Sequence, residues 1–305
     1  MTDFGADCSF AQVPNKLEEH YGIRLASSSI RHITEGHAKR IHESQVLIKD
    51  YPSTLGKAYV IAEMDGSMIP IVEIDETAPD KRKGKKESWK EARLCLAHAK
   101  GSVTPTFGAI FGGTVEDAGK ILFDTACRAG FGKSTFLHAV GDGASWIKRQ
   151  VDEQFGTQGH YLIDLYHVCE YLSAASASCS CLKDKDKWFA KQKKALQDGQ
   201  AQAVIDTLKP FLEAETVEES NAPVRACHRY LSNRIEQLDY PTAKSLGLPV
   251  GSGEIESAHR YIIQQRLKKS GAWWKSDNAA DMLALRVMRG NQQWKHYWRN
   301  TAEAA

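Results

Sequence analysis

Short apolar runs with a strand-like rhythm fill residues 57–164. Lys57-Ala-Tyr-Val-Ile-Ala-Glu-Met-Asp65 reads as a buried strand ending in an acid. Gly66-Ser67 then predicts a turn and Met68–Ile74 a returning strand, which sets Asp65 at the bend of a hairpin. Pro79–Ser88 reads as a basic loop, Trp89–Ala97 as a third strand and Val103–Phe111 as an extension of the sheet. Thr114 predicts the cap of a helix with Ala118, Ile121, Leu122, Thr125 and Ala126 on one face. After Gly130–Gly132, Phe136–Gly141 is an apolar strand leading into Asp142. Gly143-Ala-Ser-Trp-Ile opens a helix to Phe155, and Tyr161–Asp164 is a fifth short strand.

The flanking segments follow a helical period. Val13, Leu17 and Tyr21 share a face, Gly22 breaks the run, and Ser27–Ser29 cap a second helix through Ile30, Ile33 and Ala38. Two short helices around a glycine give a helix-turn-helix outline, which a packed helical arm shares. Residues 166–247 turn helical, lysine-rich and poor in glycine, with Leu208, Leu212, Tyr230, Leu231, Ile235 and Leu238 available for a small core. The glycine loop Val250-Gly-Ser-Gly leads into one more helix, with Ser252 as its N-cap and Ile255, Ala258 and Ile262 facing inward.

Alternating strands and helices predict an α/β fold with a mixed five-stranded sheet flanked by helices. Its element order resembles the ribonuclease H-like fold, in which the first and fourth strands lie side by side. The expected organisation is a helical N-terminal arm over 1–50 and the first part of a core over 51–166. An all-α insertion over 167–248 and the C-terminal helices of the core over 249–305 follow.

Charge changes this picture locally. The net charge is only +2, yet Lys81–Lys100 holds eight basic residues against two acids, and Ser257–Asn300 holds nine against two. Such clusters suit phosphate contacts or a solvated face. Seven irregularly spaced cysteines read as reduced thiols of a cytoplasmic protein. No apolar run of ~18 residues predicts a membrane span, and Met1-Thr-Asp-Phe-Gly lacks the pattern of a secretory signal.

Three carboxylates carry the candidate chemistry. Asp65 and Asp142 each follow an apolar strand and precede glycine. An Asp-Gly step is also a turn signal, but two of them at strand ends, with a glutamate helix downstream, favour a metal site. Carboxylates suit Mg2+, with Mn2+ as a substitute, and two such ions serve in-line displacement at phosphorus. On the last helix Glu254 and Glu256 stand about 200° apart, so one of them completes the set. Glu256 shares a face with Arg260. Gly130-Phe-Gly-Lys-Ser-Thr135 departs from a nucleotide-binding loop, because Cys127 stands where the motif requires glycine and a helix precedes it. No nucleotide cofactor is expected.

Glu-Met-Asp65-Gly-Ser, Val-Gly-Asp142-Gly-Ala, Asp164-Leu-Tyr-His167, Gly-Ser-Gly-Glu-Ile-Glu256-Ser and Arg266-Leu-Lys-Lys-Ser-Gly-Ala-Trp-Trp occur in that order. As an ordered set over residues 50–298 they resemble bacterial insertion-sequence DDE transposases, closest to the ISKra-type group and distantly similar to Mutator-like transposases. The resemblance implies Mg2+-dependent DNA cleavage and strand transfer, with Asp65, Asp142 and Glu256 as catalytic metal ligands. It selects Glu256 over Glu254. It associates Asp164 and His167 with the core or with DNA positioning, while Arg260, Arg266, Lys268 and Lys269 are expected at backbone phosphates. It also implies a homodimer or larger assembly on DNA, nucleoid-associated when bound. Related transposases carry a longer region before the first strand. The alternatives are a truncated or inactive remnant that binds DNA, and a ribonuclease H-like nuclease without strand transfer.

Overall fold

The computed structural model describes residues 1–75, 77, 84–179 and 184–303. The fold is α/β, with a five-stranded mixed sheet flanked by helices. The chain forms two compact units, one of residues 1–135 and 253–305 and the other of residues 136–252.

The first unit is built on three antiparallel strands, β1 (Tyr59–Ile74), β2 (Lys85–Ala99) and β3 (Thr106–Phe111). The expected hairpin at Gly66-Ser67 is absent. β1 runs straight through Asp65, and its ladder with β2 continues without a break from Val60↔Ala99 to Ile74↔Lys85. Gly66 serves close approach here: a Cβ at this position would collide with the Glu91 carboxylate on the neighbouring strand. Strand number is therefore as expected but membership differs, since the two halves of the hairpin are one strand and residues 106–111 supply another. Lys85–Ser88 belong to β2 rather than to a loop, while residues 79–83 of that expected loop lie outside the described residues.

Helix α1 (Thr2–Asp7), absent from the sequence reading, precedes α2 (Val13–Tyr21) and α3 (Ser27–Glu43). Gly22 closes α2 in the left-handed region at φ 65°. The N-cap of α3 is Ala26, so Ser27–Ser29 lie within the helix. Helix α4 (Val115–Arg128) begins as expected with a capping box, in which Thr114 Oγ1 accepts from Asp117 N at 3.1 Å and Asp117 Oδ2 accepts from Thr114 N at 3.2 Å.

The second unit contains the parallel pair β4 (Phe136–Gly141) and β5 (Gly159–Ile163) with α5 (Ser145–Phe155) between them. Helices α6 (Leu165–Cys179), α7 (Lys185–Gln197), α8 (Ala201–Leu208), α9 (Pro223–Ser232) and α10 (Tyr240–Ser245) follow. Leu208, Tyr230, Leu231 and Leu238 are buried as expected, whereas Leu212 and Ile235 are exposed.

The chain returns to the first unit through α11 (Gly253–Ala258), a π-helical turn (His259–Gln264), α12 (Gln265–Leu267), α13 (Ser276–Gly290) and α14 (Trp294–Glu303). Ile255, Ala258 and Ile262 face inward as their spacing predicts, packing with Ile69, Leu94 and Leu283 in one core. Ala38 and Ile41 of α3 join that core, and α3 packs on α13. Residues 13–43 are thus a helical arm with its own apolar face buried. Among the described residues six cysteines are free; Cys181 lies outside them. Burial pushes the Cys95 thiol up to about 12.

Candidate active site

In the first unit, side-chain alternation along β1 turns Glu63 and Asp65 toward the face on which α11 packs. Glu63 is buried, and its Oε2 accepts from the Ile255 N–H at 2.7 Å. This supplies an acceptor for an amide in the first turn of α11, where the helix dipole also favours an anion. The hydroxyl of Ser252, the expected cap, instead donates to Asp164 Oδ2 at 2.6 Å.

Asp65 Oδ1 accepts from the Gly66 N–H at 2.7 Å, and Oδ2 lies 3.5 Å from His259 Nε2. His259 stands three positions after Glu256, about one helical turn. Strand β1 and the helix bearing Glu256 are thereby linked on both sides of Glu256's position, by the Glu63–Ile255 hydrogen bond and by the Asp65–His259 contact. Burial drives the His259 pKa below its ordinary value, and the Asp65 charge opposes that shift. Sequence reasoning missed Glu63 and His259. A lone glutamate in an apolar strand and a histidine on an inward helix face were the only signals.

Glu254 and Glu256 diverge as their spacing requires. Glu254 Oε2 lies 3.2 Å from Nε2 of the buried His98 on β2. Glu256 is exposed, and so is Arg260. Lys268 is exposed, with its Nζ donating to Ser67 Oγ at 3.3 Å, and Lys269 is half-buried.

Arg266 is a correction. Its residue is 2% exposed, its Nε donates to the Gly5 carbonyl at 3.0 Å, and its guanidinium lies 4.6 Å from the ring centroids of both Phe10 and Trp274. Burial lowers its pKa to about 10. A guanidinium spent on a carbonyl and enclosed by two rings offers no surface to a phosphate. Arg266 ties α1 to the C-terminal segment instead.

In the second unit, Asp142 is exposed just beyond β4, and its Oδ1 accepts from the Ala144 N–H at 2.8 Å in an Asx turn. Its main chain is held by α9 and the residues after it. Tyr230 Oη donates to the Asp142 carbonyl at 2.7 Å, Arg234 Nε donates to the Gly143 carbonyl at 2.9 Å, and Gly143 N–H donates to Tyr161 Oη at 3.0 Å. Tyr230 in turn stacks on Tyr171, with ring centroids 4.1 Å apart, and Arg234 covers its other side at 4.4 Å. These residues, too, were missed.

Asp164 is buried and fully engaged. Its Oδ1 accepts from Tyr166 N at 2.6 Å, and its Oδ2 accepts from Ser252 N at 2.8 Å as well as from the Ser252 hydroxyl. It thus caps α6 and holds the glycine loop, an internal role without a surface for DNA. His167 is half-buried, with Nδ1 3.4 Å from Glu170 and its ring edge-on to Tyr171 and Tyr230.

The loop Gly130–Thr135 is occupied by its own chain. Lys133 N and Ser134 N donate to the carbonyls of Thr54 and Leu55, both at 2.9 Å, and Gly132 N donates to Thr135 Oγ1 at 2.9 Å. Its amides are not set out as a phosphate cradle, and strand β4 rather than a helix follows.

Among the described residues no group of three or more His, Cys, Asp or Glu side chains is gathered closely enough to hold a metal ion. The donor chemistry nevertheless suits a hard cation, since Asp65, Asp142 and Glu256 are all partly or fully exposed carboxylates. No helix among the described residues is long and apolar enough to cross a membrane.

A family model described as "Uncharacterised protein family (UPF0236)" matches residues 132–300, a span that includes Asp142, Asp164, His167 and Glu256 and begins after Asp65. A relative from Streptococcus gallolyticus, "UPF0236 protein in vanSb 3'region", is 27% identical over 172 residues. That alignment covers 55% of this chain and 37% of the relative, so the chain spans little more than a third of that curated protein. No solved structure matches the chain significantly.

Proposed function

The chain belongs to the uncharacterised protein family UPF0236, and from that premise we propose that it is a metal-dependent DDE transposase on a ribonuclease H-like core. Its reaction is cleavage of DNA at the ends of an insertion-sequence element and joining of the freed 3′-hydroxyl to target DNA. One observation carries the reading furthest: within a single unit, the strand bearing Asp65 is fastened to the helix bearing Glu256 through Glu63–Ile255 and Asp65–His259. This linkage supports a reading in which the strand acid and the helix acid serve one centre. Asp142 completes the proposed set on its sequence context and on the braced loop that carries it.

Asp65, Asp142 and Glu256 would hold Mg2+ or Mn2+, which supplies the charge that activates the attacking oxygen and stabilises the leaving oxygen of an in-line displacement. His259 orients the Asp65 carboxylate, and Glu63 fixes the first turn of α11. Arg260, Lys268 and Lys269 are the proposed phosphate contacts from this segment, and a homodimer or larger assembly on DNA would bring two element ends together.

The test is nicking of supercoiled DNA by the purified chain with Mg2+, followed by joining of a 3′-hydroxyl oligonucleotide to that DNA. Asp65→Asn, Asp142→Asn and Glu256→Gln should each lower both steps by at least about 100-fold, the scale of losing one preorganised charge partner of a transition state. Glu254→Gln should stay close to the unmodified protein. Loss through Glu254 with Glu256 dispensable would overturn the ligand assignment. Nicking without joining would make the chain a nuclease.

A further inference from the structure

On the face of the first unit's sheet opposite Asp65, three large apolar side chains stand in solvent: Met68 at 44%, Trp89 at 58% and Trp273 at 39% exposure. Their arrangement is built. Pro70 on β1 pairs with Trp89 on β2, and the segment carrying Trp273 is laid against β1 by two backbone bonds. These run from Trp274 N to the Pro70 carbonyl at 3.2 Å and from Val72 N to the Trp274 carbonyl at 2.8 Å. Trp274 points into the core, with its Nε1 donating to the Leu267 carbonyl at 3.2 Å. Alternation therefore turns Trp273 outward, where its ring meets Trp89 with centroids 6.2 Å apart and planes at 61°. The two rings touch edge to face rather than stacking, which leaves ring faces open to a ligand.

The surroundings select the ligand. On the Trp89 face Lys85 stands near the start of β2 and Lys275 follows Trp273 by two positions, against Glu87, whereas the register turns Lys86 and Lys90 to the other face, where Lys268 reaches Ser67. Glu91, next along the Trp89 face, is paired with Arg93. Lysine is depleted at protein–protein interfaces, whereas lysines around open aromatic faces fit a phosphate backbone whose unpaired bases stack. We propose that Trp89 and Trp273 form a stacking platform for single-stranded DNA, with Lys85 and Lys275 as its backbone contacts. Duplex DNA is a poorer occupant, because its base faces are already stacked. The platform contains none of the proposed metal ligands. Pro70 lies five residues along β1 from Asp65, about 17 Å at strand rise, and on the other face.

The experiment titrates the full chain, in the presence of EDTA, with a short labelled oligothymidylate and with a blunt duplex of equal length. Intrinsic tryptophan fluorescence and label anisotropy are followed together. The single strand should quench tryptophan emission. Trp89→Ala and Trp273→Ala should each weaken its binding roughly tenfold, while Trp89→Phe and Trp273→Phe restore most of it and duplex binding changes little. Wild-type affinity in both alanine variants overturns the platform, as does equal loss for single strand and duplex, or no binding to either DNA. If the substitutions instead abolish self-association in sedimentation and leave DNA binding intact, the face is a protein interface and the inference fails. Because no divalent ion is present, a chain that stacks single strands but never cleaves keeps this inference and loses the transposase reading, and the converse result separates them equally.

Discussion

Single residues around Asp142 show how narrowly its position is specified. Gly143 has φ +87°, and a Cβ there would collide with the Tyr230 hydroxyl while approaching Arg234 Nε. Gly143→Ala should therefore cost about 1–3 kcal/mol in urea unfolding from backbone strain alone, and lower nicking through displacement of Asp142. An unchanged midpoint would remove the bracing role given to Tyr230 and Arg234. His138 supplies a pH signature in the same unit. Burial lowers its pKa below the ordinary 6.5, while its bond to the Pro249 carbonyl, 2.8 Å from Nε2, opposes the shift. Between that lowered value and 6.5 the unfolded chain takes up a proton that the folded chain refuses. Stability therefore rises with pH through this window and falls on acidification below about pH 6.5. Urea midpoints measured between about pH 7.5 and pH 5.5 should decline, and less steeply in His138→Gln. An identical slope in the variant would assign the pH dependence to other groups.

At the scale of elements, the helix that carries Glu256 changes type directly after it. The π-helical turn His259–Gln264 shifts the side-chain phase between Glu256 and Arg266, and π-turns strand carbonyls that need donors. Arg286 of α13 provides them. Its Nε donates to the Ile262 carbonyl at 3.0 Å and its Nη2 to the Tyr261 carbonyl, while Nη1 reaches the Ala6 carbonyl and Asp7. Arg286→Ala should destabilise the fold by about 3–5 kcal/mol, read as a lower urea midpoint, because it leaves buried acceptors unpaired. A loss below about 1 kcal/mol would mean that the π-turn stands without it. None of this was legible in the sequence, where Arg286 is one basic residue in a C-terminal cluster. Periodicity did disclose Ile255, Ala258 and Ile262 as a buried face, Thr114 as a cap, a strand ending at Gly141 and a fifth strand through Tyr161–Ile163, since each is a local pattern; the fifth strand stops at Ile163, short of the expected Asp164. Gly66-Ser67 misled for a physical reason: the step is a turn signal only where the ladder can end, and β2 continues to pair across it. Glu63 with Ile255, 192 positions apart, and Tyr230 with Asp142, 88 apart, are products of folding with no local trace.

Over the whole molecule, a net charge of +2 conceals local basic clusters, and the structure sorts them by use. Arg266 and Arg286 are internal. Lys85, Lys86, Lys90, Arg260, Lys268 and Lys275 are exposed and available to phosphate. DNA affinity should accordingly fall steeply with salt, with log K linear in log salt. Lys268→Ala should reduce the slope by about one contact's worth, while an unchanged slope would exclude Lys268 from the interface. The central claim is that Asp65, Asp142 and Glu256 share divalent cations, and Mn2+ binding followed by electron paramagnetic resonance tests it most directly. The account predicts saturable binding by the unmodified chain, retained in Glu254→Gln and lost in each of Asp65→Asn, Asp142→Asn and Glu256→Gln with the fold intact by circular dichroism. An unmodified chain that binds Mn2+ no better than the triple substitution would contradict it.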